Sequence, residues 1–370
     1  MKFLWLTWKD YTHPQAGGAE VVLRELSQRL VAEGHQVTFL TVRHPGSAKR
    51  EVMDGIEIIR VGTNRYIHPF QALAYYLKHL RNQYDVIVEV VNTVPYFSAL
   101  FKGKAKPVLF YHQLAREVWF YETRSPLNRL GYYLIEPTAT WIMSRAKAKL
   151  ITVSQSTLTD LKRFGFSTDK AEIISEGIEI KPTESLDTVQ KFDKPTMLSL
   201  GAMRPMKRTI DQVKAFELAK KTIPDLKLIL AGDYRNEYGR YILSYARHSE
   251  FSKDISFEGR VSRARKQELM QRSHVVTMTS VKEGWGLIVT EAASQGTPTV
   301  VYDVDGLRDS VRNEETGHVC APNPQSMATS LATLLEDQKR YRKLRKSAWE
   351  WSKQINFDKS YTDFKSALRS

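Results

Sequence analysis

Two glutamates eight positions apart, Glu283 and Glu291, carry the clearest chemistry in this sequence. They bracket Gly284-Trp285-Gly286-Leu287-Ile288, and residues 275–279 just upstream alternate and are β-rich. The segment therefore reads as strand, tight glycine turn and helix. Such a turn can aim backbone N–H groups at an anion held at the helix start. Two fixed carboxylates beside it can accept hydrogen bonds from hydroxyls. An anion flanked by hydroxyls describes a nucleotide sugar. The same residues also read as a plain turn with one solvated Glu and one helix-surface Glu, and the segment alone leaves both readings open.

Three cations, Arg204, Lys207 and Arg208, follow the apolar run 196–200 at another strand-to-helix crossing. Cations so placed suit a diphosphate, where the plainer reading is solvated surface charge. At the first such crossing, Gly17-Gly18 lies between an apolar run at 3–8 and an amphipathic stretch at 21–33 that Gly34 closes. A glycine pair there admits a phosphate or sugar close to the backbone, or serves only as a tight turn. His112 ends the run 107–112, which puts it at the same sheet edge as the Gly17 loop; a structural histidine is the alternative. GxGxxG is absent.

The elements that must position these groups alternate between strand and helix almost throughout, which predicts α/β architecture with parallel sheets. Strands are expected at 3–8, 35–42, 56–61, 84–90, 107–112, 150–154, 196–200, 226–233, 255–261, 275–279 and 297–302. Helices are expected at 21–33, 70–82, 114–149 and 210–220, with others from 155, 264 and 291. Residues 180–194 are polar and aperiodic, as in a boundary loop or linker. The 370 residues suffice for two domains. The expected division is 1–149 and 150–349, with a helix at about 350–370 crossing back to the first domain and a ligand cleft between the two.

Composition narrows the classes. The lone Cys320 excludes an internal disulfide. No apolar run approaches the ~20 residues of a membrane span, and the N-terminal run is too short for a signal peptide. A cytoplasmic protein is expected, either free in the cytosol or peripheral on the inner face of the cell membrane. The net charge of +14 points to an anionic partner. Residues 101–150 hold nine Lys/Arg against three Glu, together with nine aromatics. That window reads either as ordinary helices with core aromatics or as an amphipathic face for an anionic membrane surface. Nucleic acid is not expected: no zinc pattern, RNP-like strand or basic recognition helix accompanies the charge.

Taken together, these motifs resemble the retaining GT-B glycosyltransferases of family 4, the glycosyl transferases group 1 type, over nearly the whole chain. Gly17-Gly18-Ala19-Glu20 with Gly34-His35-Gln36-Val37-Thr38 is similar to the family's N-terminal signature. Thr152-Val153-Ser154 resembles the start of its C-terminal domain. Ile173-Ile174-Ser175-Glu176-Gly177-Ile178 resembles the segment usually written I-P-N-G-I, with Glu176 where Asn is usual. Glu283 to Glu291 matches E-x7-E, with Trp285 as the aromatic between glycines.

The resemblance implies two Rossmann-like domains facing an interdomain cleft and transfer of a hexose from a nucleoside-diphosphate sugar to an acceptor hydroxyl, with anomeric retention. The acceptor would be a glycan, a lipid-linked glycan or a lipid at the membrane surface. It implies that Gly17, Gly18 and Lys207 meet the donor diphosphate, that Glu283 binds the transferred sugar and that Glu291 binds the ribose. Gly284, Trp285, Gly286, Leu287 and Ile288 would line the donor with helix-start N–H groups. His112 would sit by the moving sugar and Arg260 near the base. The family usually carries Gly-Arg at the cationic loop, where this chain has Gly201-Ala202; Arg204, two residues later, is the candidate to substitute, by a different reach. No cofactor and no essential metal are expected, and Asp303-Val304-Asp305 reads as a turn. A catalytically silent GT-B-like protein that binds an anionic ligand or surface is the alternative.

Overall fold

The structure, a computed structural model, describes residues 1–64 and 66–369. It divides into two compact units. The first comprises Met1–Trp119, Ser125–Gly177 and Asn356–Ser370, and the second Phe120–Arg124 and Ile178–Ile355.

The first unit is built on strands β1 (Lys2–Leu6), β2 (Gln36–Thr41), β3 (Arg50–Met53), β4 (Ile56–Arg60), β5 (Val86–Val91), β6 (Lys106–Tyr111), β7 (Lys149–Thr152) and β8 (Glu172–Ile173). Their spatial order is β3-β4-β2-β1-β5-β6-β7-β8. Every pairing is parallel except the β3–β4 hairpin. The central strands are buried runs such as Val86–Val91, as expected where helices cover both faces. Helix Gly18–Ala32 follows β1 and ends before Gly34, whose φ of +81° makes it a left-handed stop.

The second unit holds β9 (Thr196–Leu200), β10 (Lys227–Ala231), β11 (Ile255–Gly259), β12 (Val275–Met278), β13 (Thr299–Tyr302) and β14 (Gly317–Cys320). Their order is β11-β10-β9-β12-β13-β14, all parallel. Because β9 and β12 are neighbours running the same way, the loops that leave them emerge side by side.

Three expectations need correction. The domain boundary expected at 149/150 falls at 177/178, because β7 and β8 continue the first sheet. The C-terminal crossing element is shorter than 350–370: helix Phe357–Arg369 belongs to the first unit, whereas helix Gln338–Ser352 stays in the second. Phe364 stacks on Trp5 at 5.5 Å, and Asp358 pairs with Arg29 at 2.9 Å. The helix expected through 114–149 is interrupted between Glu122 and Leu127, where Pro126 removes an amide donor. It resumes over 127–143 with a π-helical stretch at Gly131–Ile135. Trp119 is core, but Tyr133 and Trp141 are exposed.

Residues 180–194 are irregular yet anchored, unlike a free linker. The Lys191 amine is buried and donates to the carbonyls of Gln271, Ser273 and Gly296 and to Thr297 Oγ1. Trp349 Nε1 donates to the Thr183 carbonyl at 2.9 Å.

Candidate active site

The E-x7-E segment folds as its spacing suggests. β12 is fully buried, Ser280 to Gly286 form the loop, and helix Leu287–Ser294 follows. Gly286 starts that helix at φ +90°, and a Cβ there would meet Leu307 at 3.0 Å and Ser310 at 3.2 Å. Glycine is therefore required on two counts. The loop is braced by Gly306, where a Cβ would lie 2.2 Å from the Glu283 carbonyl oxygen, and by the Glu283 N–H bond to the Asp305 carbonyl at 3.0 Å.

The cationic loop after β9 is tied to the same segment. Val281 N–H donates to the Met206 carbonyl at 2.8 Å. Thr279 Oγ1 donates to the carbonyls of Lys207 at 2.8 Å and Arg208 at 3.0 Å. These bonds carry Lys207 to Glu283: its amine donates to Glu283 Oε1, which Ser280 Oγ also reaches at 2.5 Å. Both side chains are only partly buried, at 22% and 14% exposure, so a ligand can compete for either.

Glu291 lies one turn further into the helix and is buried. Burial raises its pKa, and the ion pair with Lys266 pulls the other way. Lys266, on helix Arg263–Arg272, reaches Oε2 at 2.5 Å and Oε1 at 2.7 Å. The second unit thus sets two lysine–carboxylate pairs beside one helix start.

The remaining cations of the loop differ from Lys207. Arg204 pairs with Glu122 at 2.9 Å, and Glu122 also accepts from the Met206 N–H at 3.3 Å. Arg208 pairs with Asp211 at 2.5 Å and donates to the Pro322 carbonyl. Arg260 is exposed at the C-terminal end of β11, next to the positive-φ Gly259. Gly284, Trp285, Leu287 and Ile288 line the loop and first turn, half-buried. The Asp303-Val304-Asp305 carboxylates are held in a turn, Asp303 by Arg308 and Asp305 by Lys282 and Arg308. Burial would raise the Asp305 pKa, but those two cations bring it below the usual carboxylate range.

The first unit presents Gly17-Gly18 and His112 at the C-terminal edge of its sheet, after β1 and β6. Gly17 caps its helix and donates its N–H to Glu20 Oε2 at 2.6 Å. That amide is used by the capping box, and Gly18 opens the helix proper. His112 is buried and stacks on Phe110 at 4.7 Å. Its Nδ1 lies 2.8 Å from Glu176 Oε1, and its Nε2 has no hydrogen-bond partner among the described residues. Glu176 is fixed by its neighbour: a Cβ on Gly177 would stand 2.5 Å from the Phe357 backbone nitrogen.

Lys266, Glu122 and the Glu176–His112 contact were not expected from the sequence. The basic cluster Arg263-Ala264-Arg265-Lys266 was the available sign of the first. Glu176 stood out only as a departure from the I-P-N-G-I pattern.

Comparison with known proteins identifies the family and the fold. The family model for Glycosyl transferases group 1 matches residues 182–351, and that for Glycosyltransferase Family 4 matches residues 16–181. N-acetyl-alpha-D-glucosaminyl L-malate synthase of Bacillus anthracis is 24% identical over 374 residues, covering 91% of this chain and 90% of that protein. Glycogen synthase of Mycobacterium tuberculosis is 25% identical over 205 residues, covering 55% of this chain and about half, 49%, of the synthase. Anabaena HepE in complex with UDP-glucose matches in fold with a TM-score of 0.76 at 17% identity, over 100% of this chain and 99% of that one. With the two family models running consecutively through residues 16–351, the chain belongs to glycosyltransferase family 4, the glycosyl transferases group 1 type, and has the GT-B fold.

Proposed function

We propose that this glycosyltransferase moves a hexose from a nucleoside-diphosphate sugar to an acceptor hydroxyl of a glycan, a lipid-linked glycan or a lipid, with retention at the anomeric carbon and without an essential metal. The observation that carries the reading is the Lys207–Glu283 pair set beside the Glu291–Lys266 pair at the start of helix Leu287–Ser294. HepE, similar in fold, holds UDP-glucose, which supports a nucleotide-sugar donor.

In this reading Lys207 turns from Glu283 to the donor diphosphate, and Glu283 Oε1 takes a hydroxyl of the transferred sugar. Glu291 accepts from the ribose hydroxyls. The amides of Gly286, Leu287 and Ile288 add helix-start N–H groups for phosphate or sugar. The bond from the anomeric carbon to the diphosphate oxygen breaks, and its electron pair leaves with the diphosphate. The acceptor oxygen bonds to the anomeric carbon on the same face and passes its proton to the departing phosphate oxygen. Negative charge grows on the diphosphate as the bond breaks, and Lys207, held close by the 279–281 hydrogen bonds, is preorganised to meet it. The family pattern assigns His112 to the transferred sugar and Arg260 to the base. Arg204 joins the diphosphate only by leaving Glu122.

Incubation with a panel of nucleoside-diphosphate sugars, read by mass spectrometry, tests this. Turnover of one donor, by transfer or by slow hydrolysis, is expected. Binding of a donor with no turnover under any condition would instead describe a silent binding protein.

A further inference from the structure

The helical run 127–143 of the first unit has two apolar faces. One packs inward through Gly131, Ala139 and Met143. Gly131 is held against the Trp119 ring, which a Cβ would approach to 2.3 Å. The opposite face is also apolar and stands in solvent: Leu130 is 45% exposed, Tyr133 70%, Leu134 57% and Trp141 50%. Their spacing follows the helical repeat, and the stripe spans about 16 Å at 1.5 Å per residue.

The exposed charges within residues 125–147 are of one sign, and beside the run the exposed Glu117 accepts from the Tyr132 hydroxyl at 3.4 Å. Arg129, Arg145 and Lys147 are exposed. The Arg145 guanidinium lies 3.4 Å from the centre of the Trp141 ring. The one acid between residues 125 and 147 is Glu136. It is buried beneath the helix, where it accepts from the N–H groups of Ala115 and Arg116 and from Trp119 Nε1. Trp and Tyr bodies with polar tips, Leu between them and arginine at the rim match the boundary of a lipid bilayer. A second copy of this chain fits poorly, because a self-contact would bring the same cations face to face.

We infer that the exposed face of helix 127–143 docks the first unit on an anionic phospholipid bilayer. Leu134 and Trp141 enter the headgroup–acyl boundary, and Arg129, Arg145 and Lys147 meet lipid phosphates. This narrows the acceptor of the proposed reaction to one carried at a bilayer and so rests on that reading. The test is scored without turnover, so failure of docking and failure of transfer are read separately.

The experiment is co-sedimentation of the full chain with vesicles of phosphatidylcholine alone and of phosphatidylcholine mixed with phosphatidylglycerol. Wild type is expected to sediment with the mixed vesicles and to lose about tenfold in partition when salt is raised, since surface cations are screened. Leu134→Glu with Trp141→Glu is expected to lose at least about tenfold with an unchanged melting curve, as both side chains are exposed. Arg145→Gln with Lys147→Gln should remove most of the preference for the anionic vesicles. Wild type that stays in the supernatant with both vesicles would overturn the inference, as would variants that bind like wild type. A concentration-dependent dimer in sedimentation velocity, abolished by Trp141→Glu, would assign the face to a second copy and overturn it too.

Discussion

His112 Nδ1 lies 2.8 Å from Glu176 Oε1, with both side chains buried. An ionised carboxylate can only accept, so this contact assigns the ring proton to Nδ1 and leaves Nε2 facing away from Glu176. Glu176 stands where the I-P-N-G-I pattern has Asn, so this chain meets its histidine with a carboxyl group in place of an amide. Glu176→Gln weakens that hold. Imidazole nitrogen shifts by NMR should report His112 protonated at Nδ1 in wild type and a mixed tautomer population in the variant. Turnover should fall on the order of a hundredfold while donor KM barely moves. A wild-type ring protonated only at Nε2 would contradict the assignment.

Lys207 is the cation that the structure brings to Glu283. Lys207→Ala should lower kcat/KM by roughly two to three orders of magnitude, the range for loss of one preorganised electrostatic group. It should also erase the preference for a nucleoside diphosphate over the monophosphate in calorimetric titration. Retained discrimination would move the diphosphate contact elsewhere, with Arg204 the next cation to replace.

The Glu291–Lys266 pair predicts a pH dependence of donor binding. Burial raises the Glu291 pKa and Lys266 restrains the rise. If the ionised carboxylate accepts from ribose hydroxyls, donor affinity is full above that raised pKa and is lost as pH falls through it. Lys266→Met removes the restraint, so the loss should begin at higher pH than in wild type. Calorimetry of nucleoside-diphosphate binding across this range checks the shift. Coincident wild-type and variant profiles would separate Lys266 from Glu291.

Lys191 tests the packing of the second unit independently of chemistry. Its amine donates to three carbonyls and a hydroxyl at the ends of neighbouring elements. Lys191→Met leaves those acceptors buried without a donor and should cost about 3 kcal/mol of stability. Chemical denaturation reads it, and donor affinity below the transition should be unchanged. An unaltered midpoint would mean that water replaces the amine.

Much of this was legible because the ligand-edge motifs are local. Glu283, Gly286 and Glu291 sit within one strand–turn–helix unit, so their spacing determines their placement. The β3–β4 hairpin was legible but missed: Asp54 and Gly55, at φ +53° and +75°, form the two-residue Asp-Gly turn that left-handed conformations favour. β8 and β14, of two and four residues, are too short to show a period. The boundary at 177/178 depends on which sheet β7 joins, a long-range pairing that no local pattern encodes. Lys266 and Glu291 are 25 residues apart, and only the folded helices bring them together. Likewise, an apolar residue facing out of helix 127–143 looks the same in sequence as one facing in.

The central claim is that the two glutamates divide one donor between them. Steady-state transfer and calorimetric donor binding, measured together for Glu283→Gln and Glu291→Gln, test it most directly. Glu291→Gln should weaken donor binding by about tenfold or more, the loss expected for charged hydrogen bonds, with turnover at saturation largely kept. Glu283→Gln should bind donor nearly as wild type and transfer at least about a hundredfold more slowly. Equal losses of donor affinity in both variants, with turnover at saturation intact, would contradict the account.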